Sequence, residues 1–449
     1  MKYDFDKPIE RQGTHCVKWD EPTPFLAKKE GKCIQCNSPS PLGEGWDEAS
    51  LIPLWVADMD FEAAPAIREA LKKRVDHGVF GYAIVQESYY DAVINWYERR
   101  HQWHIEREWI QYTTGVVPAI SAVIKALTMP GERVLILTPV YNCFFSSIRN
   151  NGCEVVESPL IARSVGVQEC RSVDDTPISS SSPMLTSELL NSRTPELHSY
   201  AVNWEDFEAK CADEKTTVFL LCNPHNPAGR VWTREELQRM NDICQRNHVR
   251  IISDEIHCEL IMPGHEFIPF GRLSTPSPFG ESRGEAPVIC CSPSKSFNTA
   301  GLQMANIICA DAETRRRINR AININEICDV NPFAPLAVEA AYNEGGEWID
   351  ELNQYLWANY QALLSFFTEH LPQLKVFKLE GTYLVWVDIT ETGLSADEME
   401  EKLLREARVW VNSGTMYGTD GYIRINIATQ RARLMEGLQR IAKVLNPMT

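Results

Sequence analysis

The sequence predicts an α/β protein: a mostly parallel sheet sandwiched by helices, joined to a smaller α+β domain. Three observations predict it. Short runs that are apolar throughout recur along the middle of the chain: RVLILT (133–138), TVFLLC (217–222), VRIIS (249–253), VICC (288–291) and ANIICA (305–310). Helix-like segments separate them, as expected of strands covered on both faces. After Asn331 the texture changes to long helices interleaved with a few strands, an α+β pattern. A length of 449 residues is ample for two such units.

Taken in order, an apolar-periodic segment begins at Tyr141, after the first strong strand. The helix in TREELQRMNDICQRN (233–247) opens with Thr233 and Glu236, which are spaced as a capping box. Helices are expected over 332–344, 347–370 and 395–407, strands in TYLVWVDI and GYIRINIA, and a last amphipathic helix at the end. The expected domains are 1–60, an N-terminal arm with part of the small domain; 61–330, the large domain; and 331–449, the C-terminal small domain. Three stretches rich in Ser, Pro and Gly (33–50, 161–199 and 274–287) lack a sustained period and read as exposed loops or disordered insertions.

With 44 basic and 61 acidic residues the net charge is −17, which argues against nucleic acid or an anionic membrane as a partner. No apolar run is long enough to span a bilayer, and the first residues carry no apolar secretory segment, so the expected compartment is the cytoplasm. Most of the 14 cysteines lie in apolar runs and read as small buried hydrophobes. Cys33 and Cys36 have ligand spacing, but only Cys16 and His15 stand nearby. The pair reads as part of a surface loop, and no metal is expected.

The strong strands end in unusual polar clusters. TVFLLC runs into NPHNPAG, VRIIS into Asp254, Glu255 and His257, and VICC into SPSK. Ligands of an open α/β sheet sit at the carboxyl ends of its strands, so Asn226, Asp254 and Lys295 are expected to face one crevice. Upstream, Gly115, Val116 and Val117 open an amphipathic helix whose first amides make a seat for a phosphate. An amine, a carboxylate, an amide, the hydroxyls of Ser292 and Ser294 and a helix N-terminus together suit pyridoxal phosphate. Lysine can bond its aldehyde, and aspartate can keep its ring nitrogen protonated.

WVADMDF (55–61), FGYAIVQESYY (80–90), TTGVVPAI, LTPVYNCF, CNPHNPAGRVW, SDEIH, SPSKSFN and GYIRINIA occur in one order along the chain. That set resembles the fold-type-I pyridoxal-phosphate enzymes. Within them it is most similar to the cystathionine β-lyase (carbon–sulfur lyase) branch of the class I/II aminotransferases. The resemblance implies that Lys295 is the cofactor lysine and general acid/base, that Asp254 pairs with the ring nitrogen, and that Asn226 binds the ring hydroxyl oxygen. It places Tyr141 on the ring, and Val116, Val117, Ser292 and Ser294 on the phosphate. Tyr82 would reach in from a neighbouring subunit of a homodimer, and Arg424 would clamp the substrate carboxylate. Gln303 and His257 stand where many aminotransferases carry arginine and tyrosine, and the lyase branch resembles the chain at both positions. The implied reaction is elimination of thiol from cystathionine or another β-thio amino acid, with pyruvate and ammonia as the other products. The alternatives are an aminotransferase and a cofactor-binding regulatory protein without turnover.

Overall fold

The computed structural model describes residues 1–20, 51–165, 197–274, 286–324 and 329–446. Its central sheet has seven strands: β1 (Ile110–Thr113), β2 (Arg133–Thr138), β3 (Glu154–Pro159), β4 (Thr216–Cys222), β5 (Arg250–Asp254), β6 (Val288–Cys291) and β7 (Ala305–Ile308). Their spatial order is β1-β7-β6-β5-β4-β2-β3. The pairs from β3 to β6 are parallel, and β7 alone runs against its neighbours.

The apolar runs are explained by their two faces. Val134, Ile136, Val218, Leu220, Ile252 and Cys290 join one buried cluster, and the intervening Leu135, Leu137, Phe219, Leu221, Ile251 and Ile289 join another. A strand turns successive side chains to opposite faces, so a sheet covered on both sides needs apolar residues at every position. Helix α1 (Val116–Leu127) lays Val116, Ile120, Val123 and Ile124 on the first face. Helix α2 (Arg234–Arg246) starts with the expected capping box: Thr233 Oγ1 accepts from Glu236 N–H at 3.2 Å, and Glu236 Oε2 accepts from Thr233 N–H at 2.9 Å.

Beyond the helices Ala334–Glu344 and Gly346–His370, a four-stranded antiparallel sheet runs in the order Lys375–Val376, Leu384–Asp388, Tyr422–Asn426, Asn412–Ser413. The helix expected over 395–407 is α-helical over Ala396–Lys402 and continues as a wider π turn, Leu403–Ala407. Residues 161–199 are not loop throughout. Ile161–Val165 pairs antiparallel with Leu197–Ala201, register Ile161 to Ala201. This edge pair exposes most of its first strand, so no apolar alternation announces it. The rest of that stretch, all of 33–50 and most of 274–287 lie outside the described residues, as do Cys33 and Cys36.

The N-terminal segment is tied down by charge. Lys18 and Asp60 are both fully buried, with Nζ 3.0 Å from Oδ2, and Asp60 also takes Arg11 at 2.8 Å and Trp19 Nε1 at 3.0 Å. Removing one partner of a buried pair strands the other charge. Lys18→Ala is therefore expected to cost about 3 kcal/mol, read as a lower denaturant midpoint. Among the described residues no helix is long and apolar enough to cross a membrane. All ten described cysteines are free, and only Cys16 and Cys143 are not buried.

Candidate active site

Three adjacent strands bring the polar clusters together. Cys222, Asp254 and Cys290 sit level across β4, β5 and β6, so the residues that follow each strand emerge side by side. After β4 the chain folds into a tight loop closed by Gly229 N–H to His225 O and His225 N–H to Arg230 O, both 2.8 Å. Gly229 has φ +69°, and a Cβ there would meet Leu379 Cδ1 at 3.1 Å, so the close approach requires glycine. This loop presents Asn226, whose Oδ1 accepts from Arg424 at 3.0 Å.

Asp254 is buried, and its Oδ1 accepts Ile256 N–H at 3.1 Å. Burial pushes its carboxyl up to about 7, against the opposing pull of that N–H and of Lys295. Burial drags the Lys295 amine down to about 8; Asp58 and Asp254 oppose the shift, and Arg424 adds to it. An amine tuned this way keeps a minor unprotonated fraction near neutral pH. His257 is buried, and burial with the nearby Lys295 and Arg424 cations holds its imidazole well below the usual range, with Nδ1 lacking a partner. Tyr141 stands at the start of the helix Asn142–Asn150 without a side-chain cap; burial raises its phenol, Cys143 and Asp254 add to the rise, and Arg424 opposes it.

Arg424, on the buried strand Tyr422–Asn426, lies 4.9 Å over the Tyr417 ring and donates to Trp55 O at 2.9 Å; its Nε–H has no partner. A buried donor without an acceptor points to a ligand. Helix α1 has no side-chain cap at Gly115, so the amides of Val116 and Val117 are left for another acceptor. Ser292 is committed internally: its hydroxyl donates to Met304 O at 2.5 Å and accepts from Ser294 N–H at 3.1 Å. Tyr82 stands apart, 96% exposed.

The sequence did not reveal a strap of backbone, Trp55 to Met59, whose five carbonyls are all held by side chains. Trp55 O takes Arg424 and Asn412; Val56 O takes Asn426 at 2.5 Å; Ala57 O takes Lys295 Nζ at 2.6 Å and the Tyr383 hydroxyl at 3.0 Å. Asp58 O takes Asn426 at 2.7 Å, and Met59 O takes Arg11 at 2.9 Å and Asn298 at 3.0 Å. Backbone acceptors have no residue signature; the only trace was WVADMDF itself. Among the described residues one set of metal-type ligands gathers, His101, Cys258 and Glu259, within 4.8 Å of one another. There Glu259 Oε1 lies 2.6 Å from His101 Nε2 and accepts Trp96 Nε1 at 2.7 Å, so its lone pairs already serve the protein.

A depressed lysine amine and a buried carboxyl at the strand ends of a mostly parallel sheet, faced by a guanidinium with a free donor from the small antiparallel sheet, define an α/β protein of the aminotransferase type. The chain belongs to the class I and II aminotransferase family, which it matches over residues 49–165 and 186–441. It is 36% identical to cystathionine beta-lyase PatB of Bacillus subtilis, across 98% of this chain and 100% of that one. Among solved structures it resembles a PLP-bound putative aminotransferase of Clostridium difficile (TM-score 0.81, 35% identity, 99% and 100% covered). It also resembles cystalysin of Treponema denticola, which contains pyridoxal 5'-phosphate (TM-score 0.80, 30% identity, both chains fully covered).

Proposed function

We propose that this chain is a pyridoxal-phosphate-dependent carbon–sulfur β-lyase that eliminates thiol from cystathionine or a related β-thio amino acid. The observation that carries the reading is the Lys295 amine, brought down to about 8 beside Asp254 and Arg424, in a chain 36% identical to a curated cystathionine beta-lyase. The donor set fits the cofactor: an uncapped helix N-terminus for phosphate, a buried carboxyl for a cationic ring nitrogen, and an amine for the aldehyde.

When bound, pyridoxal phosphate supplies an aldehyde and an electron-accepting ring. Lys295 would hold that aldehyde, and its amine would take the substrate α-proton. Asp254 would keep the ring nitrogen's proton in place, Asn226 would serve the ring oxygen, and Tyr141 would stand beside the ring. Val116, Val117 and Ser294 hold the phosphate, with Ser292 shaping the turn that presents Ser294. His257 stays neutral and leaves the positive charge to Lys295 and Arg424. Thiolate leaves the substrate β-carbon and is protonated to thiol, and water hydrolyses the remaining enamine to pyruvate and ammonia.

Arg424 grips the α-carboxylate with the Nε–H that now lacks a partner, together with a donor taken from Asn226 or Trp55. A lysine in its place keeps the charge but not the fork. Arg424→Lys is expected to raise KM about 10- to 100-fold, the equivalent of one charge-assisted bond of ~1.5–3 kcal/mol, with a smaller effect on kcat.

Tyr82 is grouped with the exposed apolar residues Val79, Phe80 and Ile84, which supports a homodimer in which that segment faces the partner's site. The pairing of Ile52–Pro53 with Val409–Trp410 supports assigning part of 1–60 to the small domain beside 331–449, with 61–330 as the large one. The reading also places the enzyme in the cytoplasm. The deciding experiment is incubation of the loaded enzyme with cystathionine and no keto acid. Pyruvate and thiol in equal amounts support the lyase; turnover that requires a keto-acid acceptor means transamination, and no reaction across a panel of amino acids means a regulatory protein.

A further inference from the structure

Three features of the small sheet converge on Tyr383. Its hydroxyl donates to Ala57 O at 3.0 Å, and the same oxygen accepts Lys295 Nζ at 2.6 Å. A carbonyl oxygen offers two lone pairs, so these two donors fill it. The Tyr383 ring is fully buried and edge-on to His257, with centroids 6.1 Å apart. The residue before it, Thr382, is fully buried with φ +71°, a conformation that β-branched residues avoid. It is held there by its N–H to Leu260 O at 2.7 Å and by its Oγ1, which accepts Leu384 N–H at 3.1 Å. Such strain persists where surrounding structure fixes it, and it gathers at functional sites.

We propose that Tyr383 is a positioning residue: its hydroxyl pins the Ala57 carbonyl as the seat of the Lys295 amine whenever that amine is not bonded to the cofactor. The proposal rests on Lys295 being the cofactor lysine. A free amine has many rotamers, and most point it away from the aldehyde and from a substrate α-carbon. The carbonyl fixes one of them, and the Tyr383 hydroxyl fixes the carbonyl. The tyrosine touches no reacting atom and acts through Ala57.

The test uses the full chain stripped of cofactor and Tyr383→Phe, which keeps the ring and its packing. Pyridoxal phosphate is added and aliquots are quenched with borohydride, which supplies hydride to the C–N bond formed as amine and aldehyde lose water. The adduct on Lys295 is then counted by mass spectrometry. The expected result is capture slowed about 10-fold or more at unchanged final stoichiometry, together with a fall in kcat at constant KM in the loaded enzyme. Thr382→Gly, which accepts the positive φ without strain but releases the aim of the ring, should slow capture by less, and it decides the matter alone should Tyr383→Phe fail to fold. Capture at the wild-type rate in the folded variant overturns the positioning role. Absence of any Lys295 adduct in the wild type overturns instead the assignment of Lys295.

Discussion

Lys295→Ala abolishes turnover, with kcat lowered by at least about 10⁴-fold, while the variant still binds pyridoxal phosphate without a covalent bond. On the proposed function, the rate loss follows from removing both the group that holds the aldehyde and the base that takes the α-proton. The fold should not suffer. Tyr383 continues to hold Ala57 O, and a group whose amine is depressed to about 8 by burial opposes folding at neutral pH, so its removal leaves the thermal midpoint unchanged or raises it. Steady-state kinetics, mass spectrometry and a melting curve on one preparation check all three statements. A variant that turns over at the wild-type rate would sink the assignment.

Asp254→Asn is nearly isosteric and keeps an oxygen for Ile256 N–H, yet removes the anion that a cationic ring nitrogen needs. A loss of about 10²–10³-fold in kcat is expected, the usual scale for one preorganised electrostatic contact. The same variant carries a stability signature when free of cofactor. Folding raises the Asp254 carboxyl from 3.8 to about 7, so between those values the folded chain binds more protons than the unfolded one. Its contribution is therefore full below pH 3.8 and lost as pH rises through about 7. Asparagine has no such proton to lose. At pH 8 the cofactor-free variant should exceed wild type by on the order of 2–4 kcal/mol, and near pH 4 the advantage should vanish. Urea midpoints at the two pH values test this, and equal midpoints at pH 8 would refute it.

How much of this was legible beforehand depends on whether the information lies in side-chain type. Five strands of the central sheet were legible because burial on both faces forces continuous apolar runs, as in β4 and β6, whereas β1 and β3, at the two edges and partly exposed, carry no such run. The convergence of Asn226, Asp254 and Lys295 followed, since adjacent parallel strands must release their next residues on one edge. The antiparallel direction of β7 was not legible, because a run such as ANII reads alike either way. The pair Ile161–Val165 with Leu197–Ala201 was missed because its first strand is exposed and its partner is remote in sequence. Tyr383 was missed because its importance depends on a carbonyl, Ala57 O, and on the φ of Thr382, neither of which has a letter in the sequence. Tyr82 is exposed in the single chain, and its role rests on the proposed homodimer.

The strap from Trp55 to Met59 gives recognition here the character of a substitution reaction. Lys295 and Arg424 each already grip one of its carbonyls, with the Arg424 Nε–H left free, so an incoming aldehyde or carboxylate also ousts an internal occupant. Observed affinities will therefore report the new contacts less the ones given up. Heats of binding will be smaller than the new contacts alone suggest, and a ligand slightly short of reach will lose to the chain's own backbone.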